Sequence, residues 1–166
     1  KVASAFYDMP VNFIDGGLIG LNPVKENERT RLYVSGKATA LVRQLDGRGL
    51  VVRDLGGEIG RASAMKMVYA SSTKGAFSLF AAVAVMAELT GLRDEIFAEL
   101  AASQPHTMAT IERMAPRIPL DAKRWIFEMD EIASTYDAYG MTAHFHQGAA
   151  DIMKLANKTP LASETR

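Results

Sequence analysis

The chain has 166 residues, with 19 basic side chains, 19 acidic ones and no cysteine. The balanced charge argues against a nucleic-acid partner or an anionic membrane surface. The lack of cysteine excludes disulfides, thiolate zinc sites and cysteine nucleophiles. With no N-terminal signal pattern, these features favour a soluble, cytoplasmic protein.

The first 60 residues carry the signals of strands. Three short runs rich in β-branched and aromatic residues predict strands at residues 11–15, 31–35 and 50–55. Between the second and third runs, apolar residues at i, i+3, i+4 and i+7 predict a helix over residues 37–45. Because three strands leave most of a sheet's edges and faces uncovered, this order indicates a fragment of an α/β layer.

The sequence after Gly60 has the pattern of long helices, with Gly91 and Gly140 between long segments. Gly91 and Gly140 are typical of residues that follow a helix. The predicted helices cover residues 61–89, 92–103, 106–114, 123–139 and 142–157. The fold class is therefore α/β followed by all-α.

The first of these helices is apolar on all sides between residues 76 and 87, where Ser78 is the one polar residue. This run is too short to span a bilayer. A helix that is apolar all round needs cover on most sides, and about a hundred residues of helical chain cannot easily surround it. We therefore expect a second copy of the chain to cover part of it, in a homodimer.

Several short patterns lack the partners that their chemistry requires. The Gly-rich runs at residues 16–20 and 56–60 follow strands, but neither has the G-x-G-x-x-G spacing of a dinucleotide loop. Residues 35–38 resemble the end of a P-loop, but the first glycine and the magnesium-binding hydroxyl are missing.

Two further patterns have simpler explanations: chance for the S-x-x-K tetrads, and an ordinary half-buried histidine for the pair His144 and His146. The S-x-x-K tetrads that begin at Ser63 and Ser71 have no S-D-N or K-T-G companion. His144 and His146 point in different directions on a helix, and no cluster completes their ligand set, so we predict no metal site.

Lys66 is different because small polar groups accompany it. On a helix, Ser63, Tyr69, Ala70 and Thr73 share its face at i−3, i+3, i+4 and i+7. An ammonium in an apolar surround loses its proton more readily, which is how proteins make lysines into proton-transfer groups. The alternative is an ordinary lysine on the solvated side of the helix.

The turn before this lysine resembles a family motif. Residues 57–70 read Gly57-x-x-Gly60-x-Ala62-x-x-x-Lys66-x-x-x-Ala70. This is similar to the G-x-x-G-x-G-x-x-x-K-x-x-x-N of the 6-phosphogluconate dehydrogenase-like, or β-hydroxyacid dehydrogenase, superfamily. Alanine stands where that family carries its third glycine and its substrate-positioning asparagine.

Two other segments extend the resemblance over nearly the whole chain. Residues 13–20 are similar to the strand and substrate loop D-A-P-V-S-G-G of the family, with Ile19 in the place of the serine. Residues 66–75 and 124–133 resemble a poorly characterised branch that has a phosphogluconate dehydrogenase-like helical domain.

The resemblance implies a division of the chain and a chemistry. Residues 1–58 would be the last part of a Rossmann-like dinucleotide-binding domain whose G-x-G-x-x-G half lies outside this chain. Residues 59–166 would be a helical substrate-binding and dimerisation domain. Lys66 would act as general acid or base on a small hydroxy acid or related carbonyl compound, while NAD or NADP carries the hydride.

The resemblance also implies the binding residues. Gly57 and Gly60 would contact the cofactor, and the substrate would contact Gly16, Gly17, Gly20, Ser63, Tyr69, Ala70 and Thr73. The alternative from another class is a helical dimerisation module without catalysis, because hydride chemistry requires a bound dinucleotide.

Overall fold

The computed structural model describes residues 2–6, 8–20 and 30–158. Its strands are β1 (Asp15–Ile19), β2 (Arg31–Ser35) and β3 (Val51–Asp54). Its α-helices are α1 (Arg61–Thr90), α2 (Arg93–Ser103), α3 (Pro105–Met114), α4 (Ile118–Ala138) and α5 (His144–Ala156). Short 3₁₀ turns occupy Ala3–Phe6, Thr39–Leu45 and Ala115–Arg117.

The three strands form one mixed sheet in the order β1-β2-β3. β1 runs antiparallel to β2, with Asp15 opposite Ser35 and Ile19 opposite Arg31. β2 and β3 are parallel, with Arg31 opposite Val51. Parallel strands need a crossover, and the 3₁₀ turn Thr39–Leu45 lies within it.

The predicted position of the first strand is wrong. The ladder begins at Asp15 and runs through Gly16 and Gly17, whereas residues 11–14 lie outside it. Glycine is a poor strand former by propensity, so the β-branched run before it gives the stronger local signal. The helix predicted over residues 37–45 is likewise a 3₁₀ turn.

The bounds of the helices agree closely with those predicted from the positions of Gly91 and Gly140. Gly91 and Gly140 follow α1 and α4 with φ of 69° and 73°, a left-handed conformation that favours glycine. In both turns the next amide donates to a carbonyl five residues back: Leu92 to Ala87 at 3.0 Å and Met141 to Tyr136 at 2.9 Å. The main difference is that α4 starts at Ile118, five residues before the predicted start.

The chain divides into two compact units, of which the first ends at Tyr69 and the second begins at Ala70. This division falls inside α1, whereas the sequence-based boundary after residue 58 marks a change of secondary structure. In the second unit, α1 and α4 run antiparallel, because Phe77 stacks on Trp125 and Lys74 pairs with Glu128 at 2.7 Å.

The core of the second unit consists of apolar side chains from α3, α4 and α5. Its buried members are Met114, Ile118, Ala122, Trp125 and Met153. By length and composition α1 could cross a membrane, a criterion that core helices of soluble proteins also meet. Only 28% of its most apolar window is buried inside the molecule.

We expect Met129→Ala to lower the free energy of unfolding by about 2–5 kcal/mol, because Met129 is fully buried and its loss leaves a cavity. Urea denaturation of the two proteins measures the difference. The matched control is Met141→Ala, since Met141 is exposed and its truncation should change stability by less than about 0.5 kcal/mol. Equal effects at the two positions would contradict the assignment of the core.

Candidate functional site

One face of β1 lies against the first turns of α1. Burial alternates along the strand, so that Asp15, Gly17 and Ile19 are buried while Gly16 and Leu18 are exposed. Successive side chains in a strand point to opposite faces, so the three buried residues share one side of the sheet. On that side, Asp15 and Gly17 contact the beginning of α1.

Asp15 caps the N-terminus of α1 from the strand. Its Oδ2 accepts hydrogen bonds from the amides of Gly60 at 3.0 Å and Ser63 at 2.9 Å, and from Ser35 Oγ at 3.1 Å. Its Oδ1 accepts from the hydroxyl of Ser63. α1 has no acidic residue in its own first turn, so this carboxylate supplies the negative charge that the helix dipole favours there.

The remaining amides of the first turn are also satisfied within the chain. The Ala62 amide donates to Ser35 Oγ at 3.1 Å, the Ala64 amide to the Gly60 carbonyl at 2.8 Å, and the Arg61 amide to the Glu58 carbonyl at 3.5 Å. A helix N-terminus otherwise leaves such groups free to bind an anion. Here Asp15 and Ser35 already occupy that position.

Hydrogen bonding outweighs burial in setting the charge of Asp15. Burial alone would raise the pKa of this carboxyl, but the bonds from Ser63, Ser35 and Gly60 favour the ionised form. The pKa of Asp15 is therefore below its ordinary value, and the group is a carboxylate at neutral pH.

Lys66 lies one turn further along α1 and is half-buried. A Cβ added to Gly17 would come within 2.6 Å of the Ala62 carbonyl oxygen and 3.0 Å of Lys66 Cβ, so only glycine permits this approach of strand and helix. Among the described residues, no carboxylate pairs with the Lys66 ammonium.

The other predicted substrate residues have different surroundings. The Ser63 hydroxyl is bound to Asp15, and Gly16 lies on the exposed face of β1. Tyr69 is exposed, Ala70 is buried, and the Thr73 hydroxyl donates to the Ala70 carbonyl at 3.2 Å.

Three predicted glycines shape turns. Gly20 follows β1 with φ of 126° and leads into residues 21–29, which lie outside the described part of the chain. Gly57 and Gly60 precede α1 with φ of 65° and 106°. Of all the predicted site residues, the structure brings Gly17, Gly60, Ser63 and Lys66 together around the first turns of α1.

Sequence reasoning missed Asp15 and Ser35 as part of this site. Asp15 lies 45 residues before Gly60 and 48 before Ser63, so no local pattern connects them. The one available signal is indirect: a long helix without an acidic residue in its first turn requires a cap from elsewhere.

The first unit also has a cavity at the carboxyl ends of the parallel strands β2 and β3. It measures about 390 Å³, and its lining includes Phe13, Gly36, Lys37, Gly57 and Ile59. Ligands of α/β sheets bind beyond the carboxyl ends of their strands, so this position suits part of a ligand.

In the second unit, the two patterns set aside above have separate structural roles. Ser71 hydrogen-bonds Tyr136 at 2.8 Å, while Lys74 pairs with Glu128. His146 is buried against Tyr136, with ring centroids 4.5 Å apart. Burial lowers the pKa of His146, so its ring is neutral at neutral pH.

Comparison with known proteins agrees with this architecture. Residues 87–156 match the model of a domain of unknown function, DUF1932. A conserved hypothetical protein from Sinorhizobium meliloti 1021 has a similar structure, with a TM-score of 0.72, 23% identity, and coverage of 89% of this chain and 51% of its own. No curated protein matches the chain in sequence.

A second solved structure is also similar to the chain. The conserved protein MTH1747, of unknown function, matches with a TM-score of 0.64 and 24% identity over 87% of this chain and 57% of its own. Its structure is described as revealing similarity with 3-hydroxyacid dehydrogenases. The chain thus has the predicted fold, the end of a Rossmann-like domain followed by a helical domain, and spans about half the length of these relatives.

We expect Asp15→Asn to lower the free energy of unfolding by about 1–3 kcal/mol at pH 7, because the Gly60 and Ser63 amides lose a charged acceptor that is itself buried. Because the pKa of Asp15 is depressed in the folded state, its stabilisation is complete above the unfolded carboxyl pKa and is lost as the pH falls through the folded one. Urea denaturation at pH 7 to 3 should therefore show the two proteins converging below about pH 4.

Asp137→Asn is the control, because Asp137 is an exposed carboxylate near the end of α4, and its replacement should not alter the start of α1. A difference between the wild type and Asp15→Asn that stays constant down to pH 3 would contradict the ionised cap.

Proposed function

We propose that this chain is the lysine-bearing, C-terminal part of an NAD(P)-dependent oxidoreductase that acts on a small hydroxy acid or related carbonyl compound. The observation that carries the proposal is the placement of Lys66: half-buried, held against the glycine backbone of β1, and without a carboxylate partner among the described residues. The likeness of fold to MTH1747 supports it.

Lys66 has the chemistry that such a reaction needs. Oxidation of a hydroxyl group releases a proton from oxygen, and reduction of a carbonyl takes one up. A positioned amine that accepts or donates this proton contributes roughly 10²- to 10⁴-fold to the rate. We assign Lys66 this role, with Gly17 providing the close backbone approach and Tyr69 and Thr73 on the following turns of α1 as candidate substrate contacts.

NAD or NADP would carry the hydride. The first turn of α1 does not fit the pyrophosphate of such a cofactor, because the Gly60, Ala62 and Ser63 amides are bound to Asp15 and Ser35. We therefore propose that the phosphates bind elsewhere in the protein. The contact of Gly57 and Gly60 with other parts of the cofactor stays a prediction.

We also propose that the protein is a homodimer through α1 and the groove beside it. Leu79, Met86 and Leu89 are more than half exposed on this helix. The same helix also lines an apolar groove of about 420 Å³, through Phe80 and Val85, together with residues of α3, α4 and α5. Exposed apolar surface marks a protein interface, and a second copy would bury the same surface on both subunits.

In the full-length protein, we expect Lys66→Met to lower kcat by about 10²- to 10⁴-fold while the melting temperature stays near that of the wild type. NAD(P)H-dependent turnover with a panel of hydroxy acids and carbonyl compounds measures it. Lys123→Met is the control, because Lys123 is exposed on α4.

Near-normal turnover by Lys66→Met would contradict the assignment of Lys66 as the proton-transfer residue. Failure of the full-length protein to bind NADPH in a calorimetric titration would favour the non-catalytic helical module instead.

We expect Leu79→Glu combined with Met86→Glu to convert a dimer into a monomer, because each buried charge would lack a partner. Light scattering coupled to gel filtration gives the mass. Leu41→Glu serves as control, since Leu41 is equally exposed but lies in the first unit. A wild-type protein that elutes as a stable monomer would refute the dimer.

A further inference from the structure

We propose that Asp15 is a positioning residue for Lys66: it fixes the first turn of α1 on the sheet and thereby sets where the lysine amine lies. This inference rests on the proposed function, because it assigns Asp15 a part in the reaction of Lys66. The inference concerns geometry, because the side chains of Asp15 and Lys66 share no hydrogen bond or ion pair.

The first step of the argument is that strand and helix are joined at two adjacent points of one face. Asp15 holds the amides of Gly60 and Ser63, and Gly17, two residues along the same face of β1, touches Ala62 and Lys66. The carboxylate supplies attraction at the first point, and the missing side chain permits contact at the second. Together they fix the distance of the helix from the strand and its rotation about its axis.

The second step is that the first turn of α1 holds no acidic residue of its own that could replace the carboxylate. Without it, the Gly60 amide, the Ser63 amide and the hydroxyls of Ser35 and Ser63 would all lose their acceptor. Ser35 is fully buried, so its hydroxyl would need another acceptor, and the exposed amides of Gly60 and Ser63 would turn toward water. Either movement displaces Lys66 relative to Gly17.

The third step is the size of the expected effect. Catalytic groups must lie within hydrogen-bond reach of the proton that they transfer. A misplacement of about 1 Å can cost about 10²-fold in rate. A shift of the first turn of α1 is therefore sufficient to impair proton transfer without any change in Lys66 itself.

The test compares Asp15→Ala with Asp54→Ala in the full-length protein. Asp54 is a matched control, because its carboxylate also accepts hydrogen bonds in the first unit, from Thr39 at 2.7 Å and the Gly56 amide at 2.8 Å, but does not touch α1. We expect Asp15→Ala to lower kcat by about 10²-fold with KM for the cofactor within about twofold. Asp54→Ala should keep its kcat.

Formate provides a rescue experiment. It carries the carboxylate that Asp15→Ala removes, and the vacated donors form a site for it. Titrated formate should restore kcat of Asp15→Ala and leave Asp54→Ala unchanged. Restoration of thermal stability without restoration of kcat would show that Asp15 is merely structural and would overturn the proposal, as would a folded Asp15→Ala protein with normal kcat.

A second readout does not depend on activity. Reductive methylation with ¹³C-formaldehyde labels lysine amines, and Lys66→Met identifies the Lys66 signal by its loss. That signal should shift in Asp15→Ala, return on addition of formate, and stay in place in Asp54→Ala. If Asp15→Ala fails to fold, Ser63→Ala and Ser35→Ala remove one hydroxyl each and should shift the same signal.

The two proposals fail in different ways. Normal turnover of Lys66→Met would remove the proposed function, whatever Asp15→Ala shows. An unmoved Lys66 signal and normal kcat in Asp15→Ala would remove only the positioning role.

Discussion

The bond between the Asp15 carboxylate and the N-terminus of α1 is the interaction on which the arrangement around Lys66 depends. A helix of 30 residues begins without an acidic residue in its first turn. Asp15 of strand β1 supplies the missing charge and accepts hydrogen bonds from two amides at the start of α1, while the Ser35 hydroxyl accepts a hydrogen bond from a third. The hydrogen bonds from these groups keep the carboxylate ionised and hold the turn on the sheet. Because Lys66 lies one turn later on the same helix, its position is fixed together with that of the first turn.

Much of the fold could be predicted from local signals. Gly91 and Gly140 end helices because their left-handed conformations are accessible to glycine, and periodic apolar residues define the segments between them. β1 escaped prediction for the opposite reason, since its glycines are selected by the close approach to α1 rather than by strand propensity. The position of β1 therefore depends on a tertiary contact with α1, which the local sequence pattern does not contain.

The candidate site divides in the same way. The prediction of Lys66 as a site residue rests on local signals, because the turn before it and the motif that carries the resemblance lie within residues 57–70. Asp15 and Ser35 were not, because their partners lie 45, 48 and 27 residues away in the chain. Ile19 and Ala70 illustrate a third case: both are buried apolar residues at positions where the resembling family carries polar ones.

The long sequence separation of the cap also bears on the order of folding. A helix with a local cap can organise its first turn early, whereas α1 receives its cap only after β1 has formed and docked. The turn that carries Lys66 is therefore expected to become ordered late, together with the sheet. A chain with formed helices but an unformed sheet would hold the lysine in no defined place, so the arrangement of this amine is a marker of complete assembly.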